Sequence, residues 1–371
     1  MESETRLAFY VPSLTVGGAQ RVTVNLANGF AERGVNVDLL VSYRRGELVE
    51  QVKNEVTLVD LQTPRIPLVG AGASIPALVF YLRKDSPDIL FSQMHYANVV
   101  SVVADQLAAG ETKLVLTEHT MFGQVSQQKD RLMFALARRL HPLADHILAV
   151  SSGVAESLQN EVGISDDKLT VINNPVVTPA VRTGAEASAD HPWFNTSHVD
   201  VALGVGRLAQ EKDFETLTKA IAIARETSPS LHLVILGEGP RRETLETLAA
   251  DLGIEDKVSF PGYVKNPYAY MRCADIFVLS SRREGLPTAL VEAMACGCPV
   301  VATDCRSGPR EILADGTFGP LVPVGDARAL AAGIEDVLRE PASSKILKER
   351  AEDFSVNTVL NEYEHFVNRI Y

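Results

Sequence analysis

Cysteine is scarce in this 371-residue chain: Cys273, Cys296, Cys298 and Cys305 are the only four, all in the C-terminal half. No Cys-x-x-Cys occurs, and the Cys296-Gly-Cys298 spacing suits neither zinc nor a local disulfide. Reduced core thiols are expected, and with them a cytoplasmic compartment. Positive charge is short as well. Thirty-five Lys and Arg face 47 Asp and Glu, a net charge of −12. That argues against a general nucleic-acid binder, which needs basic surface to replace counterions. The opening Met1-Glu-Ser-Glu-Thr-Arg6 is no signal peptide. No Asp-x-Asp pair, a common seat for a divalent ion, occurs anywhere. Long apolar runs are also lacking. Ile66–Leu82 carries no charge over 17 residues, the short edge of spanning length. Pro67, Gly70, Gly72 and Pro76 interrupt it, so it reads as a loop over 66–73 followed by a buried helix. Contact with a membrane surface is the alternative.

What remains is an ordinary globular composition, 46% apolar and 22% charged, in a chain long enough for two domains. Short apolar runs alternate with helical patterns in two series. The first has strands at 6–11, 35–42, 88–93, 113–118, 146–150 and 168–172, with helices such as 20–33 and 129–140. The second has strands at 200–206, 231–236, 257–261, 276–279, 299–302 and 319–322, with helices at 214–224, 241–252 and 326–338. A near break, Asn173-Asn-Pro-Val-Val-Thr-Pro179 and the polar stretch to about Pro192, separates them. Alternating β and α elements imply parallel sheets covered by helices on both faces. The expected fold is α/β, with two Rossmann-like domains at 1–175 and 176–355. A last helix over 356–371 is expected to return to the first. Ligands of open parallel sheets sit beyond the carboxyl ends of strands. The loops 12–19, 93–97, 119–128 and 151–153, and 206–213, 237–240, 262–267 and 280–288, are therefore the ones to search. If the two domains face each other, all of them line one central cleft.

The richest stretch is Glu284-Gly-Leu-Pro-Thr-Ala-Leu-Val-Glu292. Glu284 stands on a loop and Glu292 one turn inside a helix, with Pro287 suited to the first helical turn. The amides of Gly285, Leu286 and Thr288 would be left near the helix N-terminus, which favours an anion such as phosphate. One carboxylate before an anion site and one after it match a nucleotide-sugar: a hydroxyl-rich ring, a diphosphate, then a ribose.

Other motifs are weaker alone. Gly17-Gly18 opens a helix after the first strand, either as a ligand loop or as a plain tight turn. It lacks the third glycine of Gly-x-Gly-x-x-Gly, and no acidic residue ends the second strand, so dinucleotide binding has little support. Arg207 and Lys212 are the only basic residues of the next domain's first loop. They are either partners for a diphosphate or solvated surface charges. Gly237-Glu-Gly-Pro240 and Gly262-Tyr-Val264 follow strands and could wall the same cleft. His119 ends a strand, where it serves either as a hydrogen-bond donor or proton carrier or as a structural residue; His95 is the weaker candidate. Helix 129–141 sets Lys129, Arg131, Arg138 and Arg139 beside a stripe of Leu132, Met133, Leu136 and Leu140. It is either a surface helix with its core face or a dock for anionic lipid.

In this order the motifs resemble a retaining glycosyltransferase of family 4, over nearly the whole chain. Gly17-Gly-Ala-Gln-Arg21 resembles that family's glycine loop, with Gln20 where Glu is usual. Gly204-Val-Gly-Arg207 through Lys212-Asp-Phe resembles its donor-phosphate loop. Leu236-Gly-Glu-Gly-Pro240, Phe260-Pro-Gly-Tyr-Val264, Cys298–Asp304 and Ser307–Leu313 also match. The Glu284-x7-Glu292 signature is the strongest match. The resemblance implies the GT-B architecture of two Rossmann-like domains about a cleft, the first for acceptor and the second for donor. It implies Glu292 on the ribose, Glu284 with the Gly285 and Leu286 amides on the sugar, and Thr288 at the β-phosphate. Arg207 and Lys212 would neutralise the diphosphate, Val264 would pair its backbone with the base, Gly18 would approach the phosphates, and His119 would lie near the transferred sugar. No enzyme nucleophile, metal or cofactor is expected. The expected donor is a UDP-sugar and the expected acceptor a glycan or polyprenyl-linked saccharide, at the inner face of the plasma membrane. A nucleotide-sugar 2-epimerase of the same fold and a non-catalytic nucleotide-sugar binder are the rival readings.

Overall fold

The computed structural model describes residues 5–15, 17–63, 70–122 and 128–370. Two compact units divide it: Met1–Pro175 with Val356–Tyr371, and Val176–Ser355. In the first unit, strands β1 (Arg6–Val11), β2 (Asn36–Val41), β3 (Thr57–Asp60), β4 (Ile89–Gln93), β5 (Lys113–Glu118), β6 (His146–Ala149) and β7 (Leu169–Val171) form one sheet. Their order is β3-β2-β1-β4-β5-β6-β7, every pair parallel. In the second unit, β8 (Asp200–Val205), β9 (Leu231–Leu236), β10 (Val258–Gly262), β11 (Ile276–Leu279), β12 (Val300–Thr303) and β13 (Leu321–Val322) follow. Their order is β10-β9-β8-β11-β12-β13, again all parallel. Central strands such as β4 and β9 are buried at every position, as strands covered on both faces must be. Both units are Rossmann-like, so the chain is α/β.

Three details differ from the sequence reading. Strand β3 was not expected: Thr57-Leu-Val-Asp60 is only half-buried, so it lacks the continuous apolar run that marks a central strand. The helix Ile75–Asp85 is not buried all round. Leu78, Tyr81 and Leu82 face inward, while Phe80 is 67% exposed. Residues 64–69 of the uncharged run lie outside the described residues, and Gly70–Ser74 is a short 3-10 turn. In the basic helix, Gln128–Leu140, the side chains of Lys129, Arg131, Leu132 and Met133 lie outside the described residues. Arg138 and Arg139 are exposed, but Leu136, expected on the core stripe, is 37% exposed. No helix among the described residues is long and apolar enough to cross a membrane.

The last helix, Val356–Ile370, belongs to the first unit. Val359, Leu360, Tyr363, Phe366 and Val367 are spaced for one face and enter the core of Leu7, Phe9, Phe30 and Phe91. The Tyr363 ring meets Phe91 edge-on at 5.7 Å. Gly29 of helix Gly18–Glu32 permits this approach, because a Cβ there would stand 2.5 Å from Leu360 Cδ1. Leu360, 1% exposed, is therefore predicted to be a structural keystone of unit 1. Leu360→Ala should destabilise it by about 2–5 kcal/mol, the range for a large-to-small core change. Urea unfolding followed by tryptophan-independent far-UV signal measures the loss, and a change below ~1 kcal/mol would show the helix to be peripheral.

Candidate functional site

In unit 2 the strand order reverses between β8 and β11, the position where open parallel sheets place ligands. The loops after these two strands meet there. Arg282 N donates to Glu211 O at 2.8 Å, and Ser280 Oγ donates to Lys212 O at 2.8 Å. Arg282 Nε also lies 2.9 Å from Asp213 Oδ2. The two loops thus form one wall, and it carries Lys212 Nζ to 2.6 Å from Glu284 Oε1. Ser281 Oγ donates to the same oxygen at 2.6 Å. The Glu284 side chain is only 11% exposed and that of Lys212 25%, so the pair is screened less than a surface ion pair.

The loop after β9 is fastened to the same wall. Gly237 has φ +138°, and a Cβ there would stand 1.9 Å from Gly206 O, so only glycine lets the two loops touch. Leu208 N donates to Glu238 O, and Arg241 N to Leu208 O, both at 3.0 Å. Arg207, on the β8 loop, is exposed and makes no ion pair or side-chain hydrogen bond among the described residues. Pro240 stands in the turn, two residues ahead of helix Arg242–Asp251.

The helix after β11 begins at Thr288. Pro287 sits one position earlier than the sequence suggested, as N-cap with φ −71°. Its fixed φ still leads the chain into the helix. The amides of Leu286, Thr288 and Ala289 donate to nothing among the described residues, as the first turn of a helix requires. Glu292, the fifth residue of this helix, is 7% exposed and accepts from Tyr268 Oη at 3.4 Å. Tyr268 is the second residue of the helix after β10, Pro267–Cys273. The two glutamates therefore turn to different neighbours, Glu284 to the β8 loop and Glu292 to the β10 side. Val264, beyond β10 at the sheet edge, is half-buried with no backbone hydrogen bond among the described residues.

Sequence reasoning assigned no role to several residues that hold this wall. Ser307 Oγ donates to Gly285 O at 2.8 Å. Gly308, at φ +91°, lies so close that a Cβ would meet Pro287 Cδ at 2.4 Å and Gly285 O at 2.9 Å. Thr303 Oγ1 donates to Ser281 O at 2.6 Å. The Ser307-Gly308 pair, standing just after a strand, was the available signal. The four cysteines are free, and burial followed by the nearby Glu284 pushes the Cys305 thiol up to about 12. A concavity of 540 Å³ lined by Trp193, His198, Asp200 and Asp275 lies at the amino end of β8, the opposite end of the sheet.

In unit 1, Gly18 is exposed at the start of its helix, and a Cβ there would meet no atom within 4 Å. The protein itself therefore does not require glycine at that position. His119 directly follows β5. Its Nε2 is 2.8 Å from Gln93 Oε1, and Gln93 Nε2 donates to Thr117 Oγ1 at 3.2 Å. The Gln93 oxygen is thereby left to accept, so His119 Nε2 carries the hydrogen and Nδ1 a lone pair. Burial pushes the His119 pKa down to about 4, against the raising effect of Glu118. The imidazole is neutral near pH 7, a hydrogen-bonding group and not a charged one. Its neighbour His95 turns instead toward Glu118.

Two predictions follow from this geometry. His119 and His146 both have pKa values near 4 in the folded chain, chiefly through burial, against about 6.5 unfolded. Between these values the unfolded chain binds more protons, so stability rises with pH there. Their contribution is whole above about pH 6.5 and is lost as pH falls toward 4. Urea midpoints should drop from pH 7 to pH 5, and His146→Gln should flatten that slope; equal slopes would contradict the assignment. Separately, Gly308→Ala should force the Glu284 loop aside and lower transfer activity at least about tenfold, since small misplacements cost that much. A steady-state assay on the folded variant measures it.

Residues 193–354 match the family model described as glycosyl transferases group 1, and residues 16–178 match that of glycosyltransferase family 4. A Campylobacter jejuni protein named as an N-acetylgalactosaminyltransferase acting on a diphospho-undecaprenol-linked saccharide is 28% identical over 360 residues, 93% of each chain. A lipopolysaccharide core biosynthesis glycosyltransferase of Rhizobium meliloti, LpsE, is 29% identical over 352 residues, again 93% of each. Among solved structures, HepE of Anabaena, crystallised with UDP and glucose, superposes with a TM-score of 0.79 at 21% identity, covering 99% of this chain and 100% of that one. Between them the two family models span both Rossmann-like units of a GT-B fold, and this chain belongs to the family 4 glycosyltransferases.

Proposed function

We propose that the chain is a retaining, metal-independent glycosyltransferase that moves a hexose or N-acetylhexosamine from a UDP-sugar to a glycan or polyprenyl-linked acceptor. The observation that carries this reading is the Lys212–Glu284 pair on adjoining loops at the strand reversal, beside a helix N-terminus with unpaired amides. Glu284 Oε1 is occupied by Lys212 and Ser281, which leaves Oε2 to orient a sugar hydroxyl. The diphosphate lies against Lys212, Arg207 and the amides of Leu286 and Thr288, with the Gly285 carbonyl side held back by Ser307. Glu292 takes the ribose hydroxyls. Val264 takes the base at the β10 edge, two strands from β8 and so about 10 Å away, the reach a nucleotide needs. Within unit 1, exposed Gly18 leaves its backbone open to a phosphate, and His119 offers its Nδ1 lone pair to a substrate hydroxyl.

The chemistry follows the charge. The bond from the anomeric carbon to the phosphate oxygen breaks, and negative charge grows on the diphosphate. The acceptor oxygen bonds the same carbon from the same face, and its proton passes to a phosphate oxygen. Lys212, Arg207 and the helix end meet the growing charge and so stabilise the transition state more than the ground state. The lack of an Asp-x-Asp pair supports a site in which protein cations carry the diphosphate without a metal. The names of the relatives, one for a diphospho-undecaprenol-linked saccharide and one for lipopolysaccharide core, support the acceptor class and a place in cell-surface glycan synthesis. Exposed Phe80, Leu136, Arg138 and Arg139 support contact with anionic lipid at the inner face of the plasma membrane.

A thermal-shift series with UDP-, GDP- and ADP-sugars tests the donor, since a ligand of the native state raises the melting temperature. A UDP-sugar should raise it, and turnover should survive EDTA. Lys212→Met should lower kcat on the order of 10²–10³-fold, the scale for one lost electrostatic group. Stabilisation by GDP- or ADP-sugars alone, isomerisation of the UDP-sugar without acceptor, or near-normal turnover of Lys212→Met would each overturn the reading. Absence of binding to anionic liposomes at low salt would remove the membrane contact.

A further inference from the structure

A buried polar cluster in unit 1 has no part in the chemistry above. Glu118, the last residue of β5, is 0% exposed, as are His141 and Asn98. One carboxylate oxygen, Oε1, takes His141 Nε2 at 2.6 Å and Asn98 Nδ2 at 2.8 Å, and His95 Nδ1 stands 3.4 Å away. Asn98 Nδ2 also donates to Thr117 O at 3.0 Å. Phe122, 1% exposed, closes the cluster edge-on to His95 and His141 at 4.7 and 5.6 Å. Burial would push the Glu118 carboxyl up, but the hydrogen bonds and charges of His141 and His95 outweigh it and hold it below the usual carboxylate range. A buried carboxylate is costly unless it is paired, and an apolar residue is often the more stable choice. Its presence next to His119 therefore asks for a reason other than stability.

The strand supplies one. Successive side chains point to opposite faces, so Glu118 is locked on one face while His119 turns to Gln93 on the other. Val150 N donates to Glu118 O at 3.3 Å, and Asn98 holds the carbonyl just before it. The two peptides that lead into His119, Thr117–Glu118 and Glu118–His119, are thus each fastened through their carbonyl. We infer that Glu118, gripped by His141 and Asn98, is a positioning residue for His119, fixing where its imidazole presents Nδ1 to the substrate. This rests on the role proposed for His119. The potential ligand atoms of His95, Glu118 and His141 lie within 4.8 Å of one another, the spread a metal ion would need. The 2.6 Å contact is instead a hydrogen-bond length, shorter than the roughly 3.3 Å between neighbouring nitrogen or oxygen ligands of tetrahedral zinc.

A double-mutant cycle with Glu118→Gln and His119→Ala tests it, read by kcat, donor KM, melting temperature and zinc content. Glu118→Gln should lower kcat about tenfold to hundredfold, the cost of a displaced group, with donor KM within about twofold. In the His119→Ala background it should cost nothing more, because its effect passes through His119. Effects that multiply, or a silent Glu118→Gln beside an impaired His119→Ala, would overturn this inference alone. A near-normal His119→Ala would overturn the His119 reading and this inference together. One bound zinc per chain, lost in both Glu118→Gln and His141→Gln, would replace the hydrogen-bonded cluster by a metal site. Should Glu118→Gln not fold, His141→Gln, which keeps the carboxylate, enters the same cycle with the same expected coupling.

Discussion

The contact between the loops after β8 and β11 is what the donor side of this molecule depends on. Those strands are neighbours although they are not consecutive, the place where open parallel sheets leave a crevice. Lys212 and Glu284 close across that crevice at 2.6 Å. The pairing holds a flexible lysine in one place, so its ammonium needs little further ordering to meet an anion. It also keeps the local charge near zero in the free protein, which spares the fold a pair of uncompensated half-buried ions. Ser281 donates to the same Glu284 oxygen, so the carboxylate has a second partner besides the lysine.

Around that contact the backbone is brought unusually near itself. Gly237 against Gly206, and Gly308 against Pro287 and Gly285, are approaches that no side chain fits. Each glycine forgoes a Cβ to let one loop brace another, and the reward is a site built on strand ends and not on mobile loops. Ser280, Thr303 and Ser307 then tie side-chain hydroxyls to the carbonyls of the same loops. Such bonds satisfy backbone groups that would otherwise need water, so the wall stays formed as a ligand displaces solvent.

Much of the fold was legible because parallel strands announce themselves. The runs at 6–11 and 231–236 are apolar at nearly every position, and no helix period fits them. Strand β3 escaped because Thr57–Asp60 is half-exposed at the sheet edge. The exposure of Phe80 and Leu136 escaped because periodicity gives a stripe without saying which members the neighbours cover. Among the site residues, Glu284, Glu292 and Lys212 stood out through spacing and charge next to strand ends. Ser281, Gly308 and Tyr268 did not, because their significance lies in what they touch across non-consecutive strands. Glu118 and His141 are 23 positions apart, and no local pattern joins them.

The two units handle polarity in opposite ways. Unit 2 presents charge: an exposed Arg207, a partly exposed Lys212 and helix amides, all suited to an anion. Unit 1 presents a neutral imidazole, kept so by burial and oriented through Gln93 and Thr117. Keeping His119 uncharged while a carboxylate lies one residue away requires that the carboxylate spend its charge elsewhere. The hydrogen bonds from His141 and Asn98 to Glu118 Oε1 do that, drawing the charge to the far face of the strand and leaving the near face to a neutral ring.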